Sequence, residues 1–221
     1  HDHEGRRLLR QRLGDRIFII GDALVTTNDR TIEHAAQQGL INCVLVKANQ
    51  IGSLSETLLA MLVALGKGLE IVVSHRSKSP NDDMEAHVAL AANALGLKAG
   101  GGANTERLVK YQAVTELLLK LDEARAGDGL TGGQPALIRK IRAYEEPTNA
   151  GIPTVGVTVE VALPATGVSL VFKGATPLGT SAGSGEAIHL VDATVEYAEW
   201  KELVDRFPAL FRDVELGVYA F

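Results

Sequence analysis

The chain has 221 residues, 46% hydrophobic and 22% charged, an ordinary globular composition with length for one sizeable domain or two small ones, unlike disordered, collagenous or low-complexity chains. Its longer apolar runs, such as 41–47 and 58–65, fall well short of the about 18 residues of a membrane span, and no basic segment precedes an apolar one as in a secretory signal, so a soluble chain with no membrane partner is expected. A net charge of −5 with ten aromatic residues supplies neither the basic field nor the stacking platforms of a nucleic-acid binder, and the single cysteine, Cys43, allows no internal disulfide and fits a reducing compartment.

Residue 1 is His rather than Met, which predicts a processed chain or a piece of a longer one. His1-Asp2-His3-Glu4 reads as a solvated, mobile terminus rather than a metal site. From Asp15 onward, short apolar runs alternate with amphipathic stretches in the manner of parallel βα units. The pattern predicts a strand at 17–20 before a helix at 29–38, and a strand at 43–46 before a helix at 53–65. It then predicts a strand at 71–73 before a helix at 82–94, and a short strand at 96–98 before a long helix at 104–123. Ser53 and Glu56 have the spacing of a capping box, and Asn104 with Thr105 opens the last helix. Within that helix Leu108, Tyr111, Leu118 and Leu119 form an apolar stripe expected to pack on the barrel.

Each unit places polar or charged residues at the C-terminal end of its strand: Asp22, then Lys47, then His75 with Arg76 and Ser77, then Lys98. In βα barrels that edge carries the chemistry, so four such positions in register predict a functional cluster. Cys43 falls inside an apolar strand and reads as a small core residue. Gly100-Gly101-Gly102 matches no phosphate-binding fingerprint and reads as a turn.

At Gly127 the character changes to a linker, 127–135, rich in glycine. Beyond it, alternating segments at 138–144, 154–163 and 168–172 predict antiparallel strands, followed by a Gly/Ser/Thr loop at 174–185 and an amphipathic stretch at 196–211. Gly179-Thr180-Ser181-Ala182-Gly183 fits the G-x-S-x-G pattern of a serine hydrolase elbow, but His189 precedes Asp192 and lies too close to it, so a polar loop is the better reading. The expected organisation is an α/β unit of four βα units at 1–126, the linker, and a smaller α+β unit at 136–221.

Gly21-Asp22-Ala23-Leu24-Val25-Thr26-Thr27-Asn28, the run from Val46-Lys47 through Asn49-Gln50-Ile51-Gly52 to Glu56, Ser74-His75-Arg76-Ser77, and Thr105 to Tyr111 resemble the C-terminal barrel of enolase, the glycolytic phosphopyruvate hydratase. Ala150-Gly151-Ile152-Pro153-Thr154-Val155 and Gly179 to Gly183 with Glu186-Ala187 resemble that family's N-terminal capping domain and its active-site loop. The resemblance implies half of an enolase-type βα barrel followed by a capping-like domain, the reverse of the family's order. It implies that Asp22 ligates magnesium, that Lys47 takes the proton alpha to the substrate carboxylate, and that Lys98 pairs with that carboxylate. It further implies that His75 contacts a small phosphorylated acid, 2-phosphoglycerate, that Arg76 and Ser77 hold its phosphate, and that Ser181 ligates a second Mg2+.

The chemistry is coherent, since abstracting a weakly acidic carbon proton needs a suitably tuned base and fixed positive charge for the enolate. A cytoplasmic lyase of glycolysis is the implied function. Departures are also present: Ala150 stands where the family has arginine, Lys78-Ser79-Pro80 stands where it has a Gly-Glu pair, and the family's remaining metal carboxylates and acid-side glutamates lie upstream of His1. The alternatives are a non-catalytic enolase-like binding or assembly module, and a relative acting on another phosphorylated or phosphonate acid. Four βα units do not close a barrel of eight, so a homo-oligomer or a complementing half-barrel chain is expected.

Overall fold

The computed structural model describes residues 2–126, 136–164, 167–179, 185–187 and 215–216. Helix α1 (His3–Leu13) is followed by β1 (Ile20–Gly21), α2 (Asp29–Gln37), β2 (Cys43–Val46), a short α3 (Ala48–Ile51), α4 (Leu54–Gly66), β3 (Glu70–Ser74), α5 (Met84–Ala91), β4 (Gly96–Lys98) and α6 (Thr105–Ala126). The four strands form one parallel sheet in chain order, β1-β2-β3-β4, with Ile20 opposite Cys43, Cys43 opposite Glu70 and Val72 opposite Gly96. Parallel neighbours joined by helical crossovers bring every strand's C-terminal end to the same edge. This is an α/β fold of four βα units on one parallel sheet.

The core lies between one face of the sheet and its helices. Val44, Val46, Ile71 and Val73 pack with Ile32, Ala35, Ala60, Met61, Ala64, Val88 and Ala89. In α4 the buried residues Thr57, Ala60, Met61 and Ala64 follow the spacing of one helical face, and Ser53 caps the helix by accepting from the Glu56 amide while its hydroxyl donates to the Glu56 carboxylate. Alternation along the strands sends Ile20, Cys43, Leu45 and Val72 to the opposite face. Cys43 is fully buried, and desolvation pushes its thiol up to about 11, as expected of a small core residue rather than a reactive one.

Three local expectations are corrected. The N-terminus is helical from His3, because the Asp2 side chain accepts from the Gly5 amide as an N-cap. The first strand is Ile20–Gly21 rather than 17–20, since only those two residues pair with β2. In α6 the leucine stripe is not the packed face: Leu108, Leu118 and Leu119 are exposed, whereas Glu106, Lys110 and Ala113 are buried. The packed face follows from Lys110, whose ammonium donates to the Asp82 carbonyl and lies 3.3 Å from Glu85 on α5.

A second, antiparallel sheet has the order β7-β6-β5-β8, with β5 (Ala136–Pro147), β6 (Pro153–Leu163), β7 (Val168–Ala175) and β8 (Glu215–Leu216). The β5 and β6 strands pair along most of their length, broken by an irregularity between Ile138 and Lys140. The hairpin tip uses Gly151 at φ +70°, a conformation that favours glycine. The linker 127–135 and the stretch 196–211 lie outside the described residues.

Several bonds fasten this sheet to the loop after β3. Lys78 and Leu178 exchange backbone hydrogen bonds, the Asn149 amide donates to the Ser79 carbonyl, and the Ala175 amide donates to Asp82 Oδ2. Lys110 therefore supports the same loop that receives the second sheet. With Lys110 and Glu85 both nearly fully buried, Lys110→Met leaves an uncompensated carboxylate and should cost about 3 kcal/mol in urea denaturation. Adding Glu85→Leu should recover at least half of that loss.

Candidate functional site

Asp22, Lys47, His75, Arg76 and Lys98 stand at the C-terminal ends of β1 to β4, and Ser77 follows Arg76. Lys47 caps the start of α3 in an extended conformation, so it continues the alternation of β2 on the side of Cys43 and Leu45. Its ammonium donates to both oxygens of Asp22, at 2.7 and 2.8 Å. The lysine side chain is largely buried while that of Asp22 is 42% exposed. Thr27, fully buried, accepts from the Lys47 amide and donates to Gln50 Oε1. The backbone after β1 enters the left-handed region at Thr26 and Thr27, which brings this hydroxyl against β2.

His75 gives two bonds to one carbonyl: its amide and its Nδ1 both donate to Lys98 O at 2.9 Å. A carbonyl only accepts, so Nδ1 carries the hydrogen. Burial lowers the imidazole pKa from its usual value, the Lys98 carbonyl opposes that shift, and the cations Arg107, Lys98 and Lys110 add to it. His75 is therefore a neutral ring at pH 7. The side chains of Ser77 and Lys98 are exposed.

Arg76 is buried and its Nη2 donates to Glu186 Oε2 at 2.9 Å, an ion pair in which both side chains are 5% exposed. The Arg76 carbonyl accepts from the buried Ser79 hydroxyl. Its guanidinium lies against Gly179, where any side chain would overlap it. Glu186 also accepts from Gln50 Nε2 at 3.3 Å, and the same nitrogen lies 3.4 Å from Asp22 Oδ1. The Ala187 amide donates to the Gln50 carbonyl at 2.7 Å. One chain of contacts thus runs from Lys47 through Asp22, Gln50 and Glu186 to Arg76.

Of the residues singled out from the sequence, the structure pairs Asp22 with Lys47 and His75 with the backbone of Lys98, and ties Arg76 to them through Gln50 and Glu186. Ser181 lies outside the described residues. Gln50 and Glu186 were not singled out, although both fall inside the quoted motifs; their role depends on a contact between segments 136 residues apart.

Magnesium requires several oxygen ligands in a near-octahedral arrangement. Among the described residues no group of three or more His, Cys, Asp or Glu is placed to hold a metal ion, and both oxygens of Asp22 are engaged by Lys47. The described residues therefore do not fit a magnesium site by themselves. Also among them, no helix is long and apolar enough to cross a membrane.

Residues 1–134 match the family model described as Enolase, C-terminal TIM barrel domain. The match takes in Asp22, Lys47, His75, Arg76, Ser77 and Lys98 and ends before the antiparallel sheet. By that match over more than half of its length, together with the parallel sheet and its strand-end cluster, the chain belongs to the enolase superfamily through a C-terminal TIM barrel domain.

Proposed function

We propose that this enolase-superfamily lyase acts on 2-phosphoglycerate, dehydrating it reversibly to phosphoenolpyruvate. The observation that carries the reading is the alignment of Asp22, Lys47, His75–Arg76 and Lys98 on one edge of four adjacent parallel strands. Lys47 takes the proton alpha to the substrate carboxylate, and Lys98 neutralises that carboxylate, whose charge grows as the enolate forms. Arg76 and Ser77 hold the phosphate, for which a guanidinium fork is well shaped, and neutral His75 contacts the substrate without adding charge. The departing hydroxyl leaves as water, its proton supplied by an acid from outside the described residues. Magnesium is part of this proposal, with Asp22 as one ligand, Ser181 as another and the rest from elsewhere. With the reaction go its place in glycolysis and a cytoplasmic location.

Proton abstraction requires Lys47 first to give up a proton to solvent and to part from Asp22, because an ammonium has no lone pair to offer and both Asp22 oxygens hold it in that form. That engagement favours a second reading, a non-catalytic module that keeps the anion-binding cations alone. The two are separated by mixing the full chain with a complementing half-barrel that carries the family's other acidic residues, and following formation of the enol product by its ultraviolet absorbance. Turnover should appear and should fall about a thousandfold in Lys47→Ala, the scale of losing a general base. Calorimetric binding of 2-phosphoglycerate with no turnover in any mixture would favour the module.

The partnership proposed here rests on the open sheet and on exposed apolar surface. Four strands leave β1 and β4 as unpaired edges in the described sheet, and a closed barrel takes eight. Phe18 and Ile20 beside the first edge, Leu95 before the other, and Leu58, Leu59 and Leu62 on α4 are all exposed, apolar surface of the kind a partner would cover. In multi-angle light scattering the 221-residue chain alone should run as a self-associated species, and a half-barrel partner should convert it to a defined complex. A monodisperse monomer that ignores such a partner would count against this.

A further inference from the structure

The Arg76–Glu186 pair is the most buried ion pair at the strand-end edge, and it is made one-handed. Arginine and carboxylate can join through two parallel hydrogen bonds, yet here only Nη2 reaches Glu186. Nη1 is buried with no hydrogen-bond partner among the described residues, a costly arrangement for a charged donor. The other oxygen of Glu186 turns to Gln50. Gln50, itself buried, is fixed at its far end by Thr27. The arginine is thus half used by a carboxylate that the second sheet's own segment brings to it.

We propose that Glu186 is the specificity-determining residue of the anion site at Arg76, a tethered competitor that an incoming anion must displace. The inference rests on the reading of Arg76 as the group that holds the substrate's anionic end. A tethered group acts at an effective concentration on the order of millimolar. A monocarboxylate offers Arg76 only the charge and oxygens that Glu186 already supplies, so it does not win the exchange. A phosphoryl or phosphonyl dianion brings a second negative charge and three acceptor oxygens, and engages Nη1 and Nη2 together. Discrimination comes from the competitor already in place rather than from added contacts to the favoured ligand. Displacement also takes Glu186 from Gln50, leaving Gln50 Nε2 with Asp22, and loosens the Ala187 amide from the Gln50 carbonyl.

The test uses the full chain with EDTA at pH 8, titrated by calorimetry with inorganic phosphate and, separately, with acetate. The unaltered chain should bind phosphate and give no measurable heat with acetate. In Glu186→Gln, phosphate should bind about tenfold tighter or more, and acetate binding should become measurable. Amide exchange at Ala187 should accelerate when phosphate is added to the unaltered chain.

A Glu186→Gln chain that binds phosphate no more tightly, or that keeps the same preference over acetate, overturns the proposal. Should that variant fail to fold by circular dichroism, Gln50→Ala loosens Glu186 and must raise phosphate affinity in the same direction by a smaller factor; an unchanged affinity overturns it as well. Arg76→Met separates the two levels. If phosphate still binds that variant, the reading of Arg76 as the anion site falls, and the proposal with it. If binding is lost in Arg76→Met while Glu186→Gln changes nothing, only the role of Glu186 falls.

Discussion

A guanidinium buried to the extent of Arg76 obliges the chain to bring a negative charge to it, because an unpaired charge in the interior is far less stable than a paired one. Much of the junction between the two sheets serves that requirement. The partner, Glu186, lies 110 residues further along the chain. It arrives because the Lys78–Leu178 exchange, the Asn149 bonds and the Asp82–Ala175 contact hold the antiparallel sheet against the loop after β3. That loop stays in place partly through the Ser79 hydroxyl on the Arg76 carbonyl and partly through Lys110 beneath Asp82. A packing arrangement and an electrostatic one are therefore the same arrangement.

Much of the fold was legible in the sequence because its signals were local. The runs at 43–46 and 96–98 coincide with β2 and β4, and Ser53 starts α4 where the capping spacing placed it. Two of the misses share a cause, which is that the deciding partner lies elsewhere in the chain. Residues 17–19 are as apolar as a strand, yet pairing to β2 selects Ile20 and Gly21. The leucines of α6 promise a packed face, yet the reach of Lys110 to Asp82 and Glu85 turns a polar face inward and leaves the leucines in solvent. The capping of α1 by Asp2 was readable from one acidic residue three positions before Gly5, but a short polar terminus offers no apolar periodicity to suggest a helix.

The site shows the same division. The strand-end residues were visible because parallel connections force all the C-terminal ends onto one edge, so a position in the βα pattern is already a position in space. What joins them was not visible. Gln50 touches Asp22, Thr27 and Glu186, and such a three-way contact between distant segments leaves no periodic trace. The substitution Lys78-Ser79-Pro80, which reads as a departure near the residues proposed to hold phosphate, is in the structure where the second sheet is fastened. A changed motif at a site edge can thus reflect docking as readily as chemistry.

Gly179 stands in the antiparallel sheet's connection with its α-carbon against the Arg76 guanidinium, where a side chain would collide. The residue contributes no charge and no side-chain hydrogen bond, and yet the electrostatics of the edge depend on it. The guanidinium occupies this place against a residue of the opposing segment that has no side chain, and a Cβ there would force it to shift. The surroundings of that charge are thus set in part by a hydrogen atom on the backbone of a distant segment.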